Sequence, residues 1–227
     1  MHDFECLTVA SLFGRADSSR ALPYLQNFRY PWEALGGLAD FIAACGAALL
    51  REGFEEQSAG VWVARDAQVA ASATLAPPCI VCEGAELRTG AFLRGGVLVG
   101  RGAVVGNSCE LKNCILFDGA QVPHFNYVGD AILGYRAHLG AGAVTSNVKG
   151  DRGEVFVRIG ARSIPTGRQK CGAFLGDFAE IGCHAVLNPG TVVGARAQIY
   201  PLCSVRGFVP ADCIYKRAGE VVLREKR

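Results

Sequence analysis

An aliphatic residue returns at every sixth position from Val63: Val63, Val69, Leu75, Val81, Leu87, Leu93, Val99, Val105 and Leu111. The step shortens by one to Leu116, resumes at Val122 and Val128, shortens again to Leu133, and continues through Leu139 and Thr145. After a break it returns at Leu175, Ile181, Leu187, Val193, Ile199 and Val205. A helix repeats its apolar face at about 3.6 residues and a half-buried strand at 2. A period of six is a short strand plus a corner, taken again and again around a prism. One aliphatic side chain per hexad then points inward and stacks on its equivalent in the next coil. No single coil holds a core of its own, so stability has to come from stacked neighbours. Glycine often follows the aliphatic residue, as in Val105-Gly106, Leu139-Gly140 and Ile181-Gly182. Small residues suit tight corners, where Gly and Asn tolerate positive φ. The expected class is all-β, a parallel β-helix over 61–215.

Residues 1–60 lack the repeat. Pro31-Trp32-Glu33, followed by Ala34, Leu35, Leu38, Phe41 and Ile42, has helical spacing with Pro in the first turn. A helix is expected over about 31–51, closing the open first coil, whose strand edges would otherwise pair with other chains. Residues 216–227 read as a charged tail, with a strand at Val221–Leu223.

Composition narrows the function. The 227 residues carry a net charge of +2 and no long basic run, which argues against a nucleic-acid binder. Met1 to Cys6 is acidic and lacks a leader's apolar run. The longest apolar stretch, Phe41 to Leu50, is too short to span a bilayer. A cytoplasmic protein with no membrane partner is expected. Its ten cysteines then read as reduced thiols packed as small hydrophobes. Cys79 and Cys82 form a lone CxxC, and a zinc site needs a second pair.

The stretch Lys112 to Gly150 carries the chemistry. It contains His124-Phe125-Asn126-Tyr127-Val128-Gly129-Asp130, then Leu139-Gly140-Ala141-Gly142-Ala143, then Asn147. It resembles the acetyltransferase domain of the bifunctional enzymes of UDP-N-acetylglucosamine synthesis, which acetylate glucosamine-1-phosphate. A later block, Cys171-Gly172-Ala173-Phe174-Leu175-Gly176-Asp177, is similar to archaeal sugar-phosphate nucleotidyltransferases ending in an acetylating β-helix. The resemblance covers about residues 60–215 and implies left-handed coils, acetyl-CoA as co-substrate and a homotrimer with the donor groove between prisms.

It also implies roles. The amine of an amino sugar must lose a proton to attack a thioester, and a histidine, with an ordinary pKa of about 6.5, accepts one near neutral pH. The resemblance puts that general base on His124 and an orienting side chain on Asn147. Arg94 and Lys112 match the family's phosphate-binding cations, Tyr127 a sugar-site tyrosine, and Ala141 a contact to the coenzyme A arm. His138 stands in the sugar-phosphate pocket where the family has Asn, and Gly153 where it has Lys, with Lys149 and Arg152 nearby. These departures bear on which amino sugar is accepted. No nucleotidyltransferase domain precedes the repeat, so the chain is not expected to make the UDP-sugar itself.

The resulting expectation is an N-acetyltransferase acting on an amino-sugar 1-phosphate, of glucosamine or galactosamine, without a metal. Two alternatives stay open: a scaffold or sensor that binds a sugar phosphate without turnover, and acetylation of a nucleotide-linked amino sugar. The zinc carbonic anhydrases of the γ type share the fold but need three converging histidines. Here the histidines are His2, His124, His138 and His184, without that family's close pair.

Overall fold

A computed structural model describes residues 4–15 and 17–224. His2, the start of the supposed leader-free terminus and the last three residues of the tail lie outside them. From Val61 the chain winds into a left-handed parallel β-helix of about nine turns. Residues 18 apart pair in parallel, Cys79 with Val97 and Val81 with Val99, so three hexads make one coil. The first face stacks Val61–Ala64, Cys79–Val81, Val97–Val99 and their successors to Phe208–Val209. The third face runs from Gln68–Val69 to Cys213–Arg217, and the second from Thr74–Leu75 to Ser204–Val205.

The inward column is the hexad series read from the sequence, fully buried from Val81 to Leu175 and beyond. On the second and third faces a small residue mostly stands two places before the inward one: Ala85, Ala103, Cys109, Ala120, Ala137, Ala143, Ala179 and Ala197. The prism therefore closes on alternating large and small side chains. Thr145 fits the column because its hydroxyl accepts a hydrogen bond from the Gly129 N–H at 2.9 Å.

Corners depart from the expectation of small residues. Phe125, Arg136, Phe178, His184, Arg196 and Leu202 all hold positive φ. A left-handed conformation costs a non-glycine residue about 1–2 kcal/mol. The stack supplies the restraint: the Phe125 N–H donates to Asn107 and the His184 N–H to Ala141, at 2.9 and 2.8 Å. Bulky side chains at these positions simply point outward.

The N-terminal segment is helical near the expected place but lies elsewhere than expected. A 3₁₀ turn Pro31–Gly36 leads through Gly37 into the α-helix Leu38–Leu49. The Glu33 carboxylate accepts from the Tyr30 N–H at 2.9 Å and closes the first turn. The helix does not close the end of the prism. With Trp32, it covers the outer side of the first face, packing on Trp62, Ile80, Leu98 and Ile115. The reason is in the hexads: the residue before each inward one on this face is also apolar, as in Cys79-Ile80-Val81. A parallel sheet apolar on both sides has to be covered on both. Approach is close enough that a Cβ on Gly46 would meet the Trp62 ring at 2.1 Å. The first coil is closed instead by strand Phe54–Ser58, antiparallel to Val61–Ala64, and the last by Glu220–Leu223 on Cys213–Arg217.

Candidate active site

The two shortened hexads build the polar site. Where the step from Leu111 to Leu116 loses a residue, second and first faces run together as one strand, Glu110–Leu116. The same happens one coil later in Tyr127–Leu133. The bend survives as one residue in left-handed conformation, Asn113 with φ 47° and Asp130 with φ 48°. These two side chains stack, and the Asn113 amide donates to Asp130 Oδ1 at 2.8 Å.

Asp130 is buried and gathers the surrounding groups. Asn147, one coil on, donates from Nδ2 to Asp130 Oδ2 at 2.5 Å and to the Tyr127 hydroxyl at 3.2 Å. The Lys112 ammonium lies 4.0 Å from the same carboxylate oxygen and is partly exposed. A buried carboxylate is costly unless hydrogen-bonded and paired, and here it is both. Burial, with Asp130 close by, pushes the Tyr127 phenol above its ordinary pKa. Tyr127 therefore keeps its proton at neutral pH and can donate it to a ligand's oxygen.

His124 stands at the corner between third and second faces, exposed, its ring without a protein partner among the described residues. Its backbone is fixed. The Asn126 side-chain Oδ1 accepts from the His124 N–H at 3.0 Å, and the side-chain Nδ2 donates to the Gly140 and Ala143 carbonyls at 2.8 and 2.9 Å. The His124 carbonyl accepts from the Gly142 N–H at 2.9 Å. Ala141 occupies the same corner one coil on, beside a glycine on each side, so an elongated ligand can lie against backbone there.

Of the residues singled out from the sequence, Tyr127, Lys112 and Asn147 come together around Asp130. Arg94 lies in the Lys112 column one coil earlier and pairs with Glu110 at 2.5 Å. Both partners are well exposed, so the pair is weak and open to exchange for a ligand anion. His138 is not drawn into the cluster. It sits on the third face opposite Gln121, its Nδ1 2.9 Å from Glu180 Oε2. Sequence reasoning passed over Asn113, Asn126 and the central place of Asp130. For Asn126 a signal existed: it occupies the inward slot where other coils carry Ala or Cys.

Among the described residues no group of three His, Cys, Asp or Glu is placed to hold a metal ion. Cys79 and Cys82 are free and buried, and burial pushes the Cys79 thiol up to about 12. No helix of the described residues is long and apolar enough to cross a membrane.

Comparison with known proteins follows the same stretch. The family described as GMPPB C-terminal domain matches residues 61–160. A bifunctional sugar-1-phosphate nucleotidylyltransferase/acetyltransferase of Sulfurisphaera tokodaii is 37% identical over 94 residues, 41% of this chain and 23% of that protein. A bifunctional protein GlmU of Methanococcus maripaludis is 31% identical over 121 residues, 53% of this chain and 29% of its own length. The chain thus matches less than a third of these curated relatives. Among solved structures, a hexapeptide-repeat-containing acetyltransferase from Vibrio cholerae is 18% identical, with TM-score 0.36, covering 86% of this chain and 93% of that one.

Proposed function

We propose that the protein transfers the acetyl group of acetyl-CoA to the amine of an amino-sugar 1-phosphate. One observation carries the reading: an unpartnered imidazole on a rigid corner stands one prism face from a buried, hydrogen-bonded polar cluster bearing Tyr127, Lys112 and Asn147. Among the proteins similar to part of this chain is one whose name includes acetyltransferase.

In the reaction the sugar amine attacks the thioester carbonyl. A C–N bond forms, the C–S bond breaks, and the proton lost by nitrogen passes to His124, which returns it to the departing thiolate. His124 suits this because no group among the described residues competes for its ring nitrogens. The tetrahedral oxyanion needs fixed donors; the Gly140 and Gly142 N–H groups already donate to the Ile181 and His124 carbonyls, which leaves the Ala141 N–H between them for that role. Lys112 and Arg94 hold the sugar phosphate, Arg94 by releasing Glu110. Arginine meets a phosphate through its planar fork and lysine as a point charge. Tyr127 and Asn147 orient the sugar, and Ala141 lets the pantetheine arm pass close to the chain. His138, turned toward Glu180, reaches the sugar only after leaving that pair.

The test is direct. Purified protein is mixed with acetyl-CoA and a panel of amino sugars and amino-sugar phosphates, and free thiol is followed. Thiol release with glucosamine- or galactosamine-1-phosphate is expected, slower without the phosphate. Binding of the sugar phosphate without thiol release would identify a scaffold or sensor instead.

A further inference from the structure

The break in the repeat brings in cations that acetyl transfer at His124 leaves unused. The chain leaves the coil after Thr145 and rejoins it at Ala173. Between them lies the antiparallel hairpin Phe156–Ile159 with Arg162–Pro165. Val155 and Val157 are fully buried against Phe174 and Val192, so the alternating residues Phe156 and Arg158 face outward. Two corners of the prism are shaped to seat the hairpin. A Cβ on Gly190 would meet the Phe156 carbonyl at 2.7 Å, and one on Gly207 the Arg158 carbonyl at 2.9 Å. Both glycines also hold positive φ, 76° and 80°. The hairpin is therefore fixed in height and angle against the coils.

Between hairpin and prism lies a recess lined by Lys149, Asp151, Phe156, Arg158, Asn188 and Arg206. Lys149 is already engaged, 3.1 Å from Asp151 and 3.1 Å from the Glu154 carbonyl. Neither the Arg158 nor the Arg206 guanidinium has a partner among the described residues. The Asn188 amide is held in place by bonds to Ser204 Oγ at 3.0 Å and the Val205 carbonyl at 2.8 Å. The Phe156 ring is 39% exposed at the rim. Most other arginines outside the recess, such as Arg20, Arg94, Arg196 and Arg217, face a carboxylate. Arg158 and Arg206 thus present two unpaired guanidiniums at one recess beside an open aromatic ring. Their complement is a phosphoanion carried on a flat ring, since Arg forks bind phosphate oxygens and rings stack.

We propose that this recess binds the diphosphate end of a nucleotide, with Arg158 and Arg206 on phosphate oxygens and Phe156 against the base. Lys149 is two residues from Asn147, so the recess adjoins the polar cluster on its C-terminal side. Two sources carry this chemistry: coenzyme A itself, or a nucleotide linked to the amino-sugar acceptor. The acetyl-transfer reading enters only in naming those sources.

The experiment is titration calorimetry on the full chain with coenzyme A, dephospho-coenzyme A and uridine diphosphate as probes. The parent is expected to bind at least one of the three. Arg158→Gln and Arg206→Gln are each expected to weaken that binding about tenfold, the order of one charge-assisted hydrogen bond. Arg158→Lys, which keeps the charge and loses the fork, should fall between parent and Arg158→Gln. Thermal melts beside the titrations separate lost binding from lost folding. Loss confined to the coenzyme A probes assigns the recess to the donor; loss confined to uridine diphosphate assigns it to a nucleotide-linked acceptor. Parental affinity for every probe in the double variant, or no binding by the parent, overturns the proposal. Thiol release by the parent is measured in parallel. Turnover with nucleotide binding indifferent to the variants defeats the recess alone. Variant-sensitive binding without turnover on any acceptor defeats acetyl transfer alone.

Discussion

His124 is tied down through its main chain and left open at its ring, and the two halves of that arrangement can be tested separately. Removing the ring in His124→Ala takes away proton acceptance in the transition state, worth roughly two to four orders of magnitude in kcat. Because the side chain is exposed and packs on nothing in the core, the melting temperature should stay parental. Steady-state kinetics with a melt beside them reads both, and turnover at the parental rate would end the assignment of the base. Lys112→Ala should behave differently. A phosphate is charged in ground and transition states alike, so KM should rise more than kcat falls. The anchor is addressed by Asn126→Ala. That change strands the Ala143 carbonyl and the His124 N–H and leaves the Gly140 carbonyl only its bond from the Ala143 N–H. Each unsatisfied buried group costs about 1–3 kcal/mol. Stability should fall by several kcal/mol in denaturant unfolding, and kcat should fall in the fraction that remains folded. A parental melt for Asn126→Ala would mean the amide is not what holds the corner.

At the scale of elements, the hexad column told nearly everything about the coil and little about what leans on it. A period of six fits a short strand and a corner around a prism, so Val63 through Val205 fall where the pattern puts them, while the left hand of the coil came from the resemblance. Even the two short steps, Leu111 to Leu116 and Val128 to Leu133, were visible as irregularities. Their meaning was not, because nothing in a linear pattern says that losing one residue brings Asn113 and Asp130 into the same column. Tyr127, Lys112 and Asn147 were legible as a set only through the resemblance to a family that carries such residues at those offsets from its histidine, whereas the pairing of His138 with Glu180 depends on an insertion that resets the register. The N-terminal helix was legible as a helix, but its docking surface was not. Amphipathic spacing says that an apolar stripe exists and leaves its partner open; the partner is given by Ile80, Leu98 and Ile115, apolar on the outward side of the first face. If that docking holds the molecule together, Ile42→Ala, fully buried there, should cost about 2–5 kcal/mol. Urea unfolding checks it, and a loss below 1 kcal/mol would show the helix to be a loosely attached cover. Cysteine reactivity offers an independent check on the coil. With its thiol near 12, Cys79 is thiolate to about one part in ten thousand at pH 8, whereas Cys183 is exposed at a corner. Alkylation of the native protein should label Cys183 and spare Cys79.

For the whole molecule, the prism has three sides and the described residues cover only one of them. The helical segment lies over the first face, which leaves the second and third bare along the corner that carries His124 and Ala141. That corner also carries exposed apolar side chains: Phe125 is 63% exposed, Leu202 80% and Tyr200 44%. Exposed rings and leucines along one edge are what a monomer avoids and an interface between copies uses. A long acyl donor reaching from His124 past Ala141 would lie on a bare ridge in one chain and in a groove between two. Threefold closure satisfies all three prisms equally, because each presents the same edge to its neighbour. The expected mass by light scattering is therefore about 72 kDa, three chains of 24.0 kDa. Leu202→Glu places a charge on that edge without touching the inward column. It should lower the measured mass toward one chain and remove acetyl transfer in the same samples, while leaving the circular dichroism of the coil intact. A parent that is monomeric at micromolar concentration and still transfers acetyl groups would mean that one chain holds a complete site, and that the exposed edge serves something else.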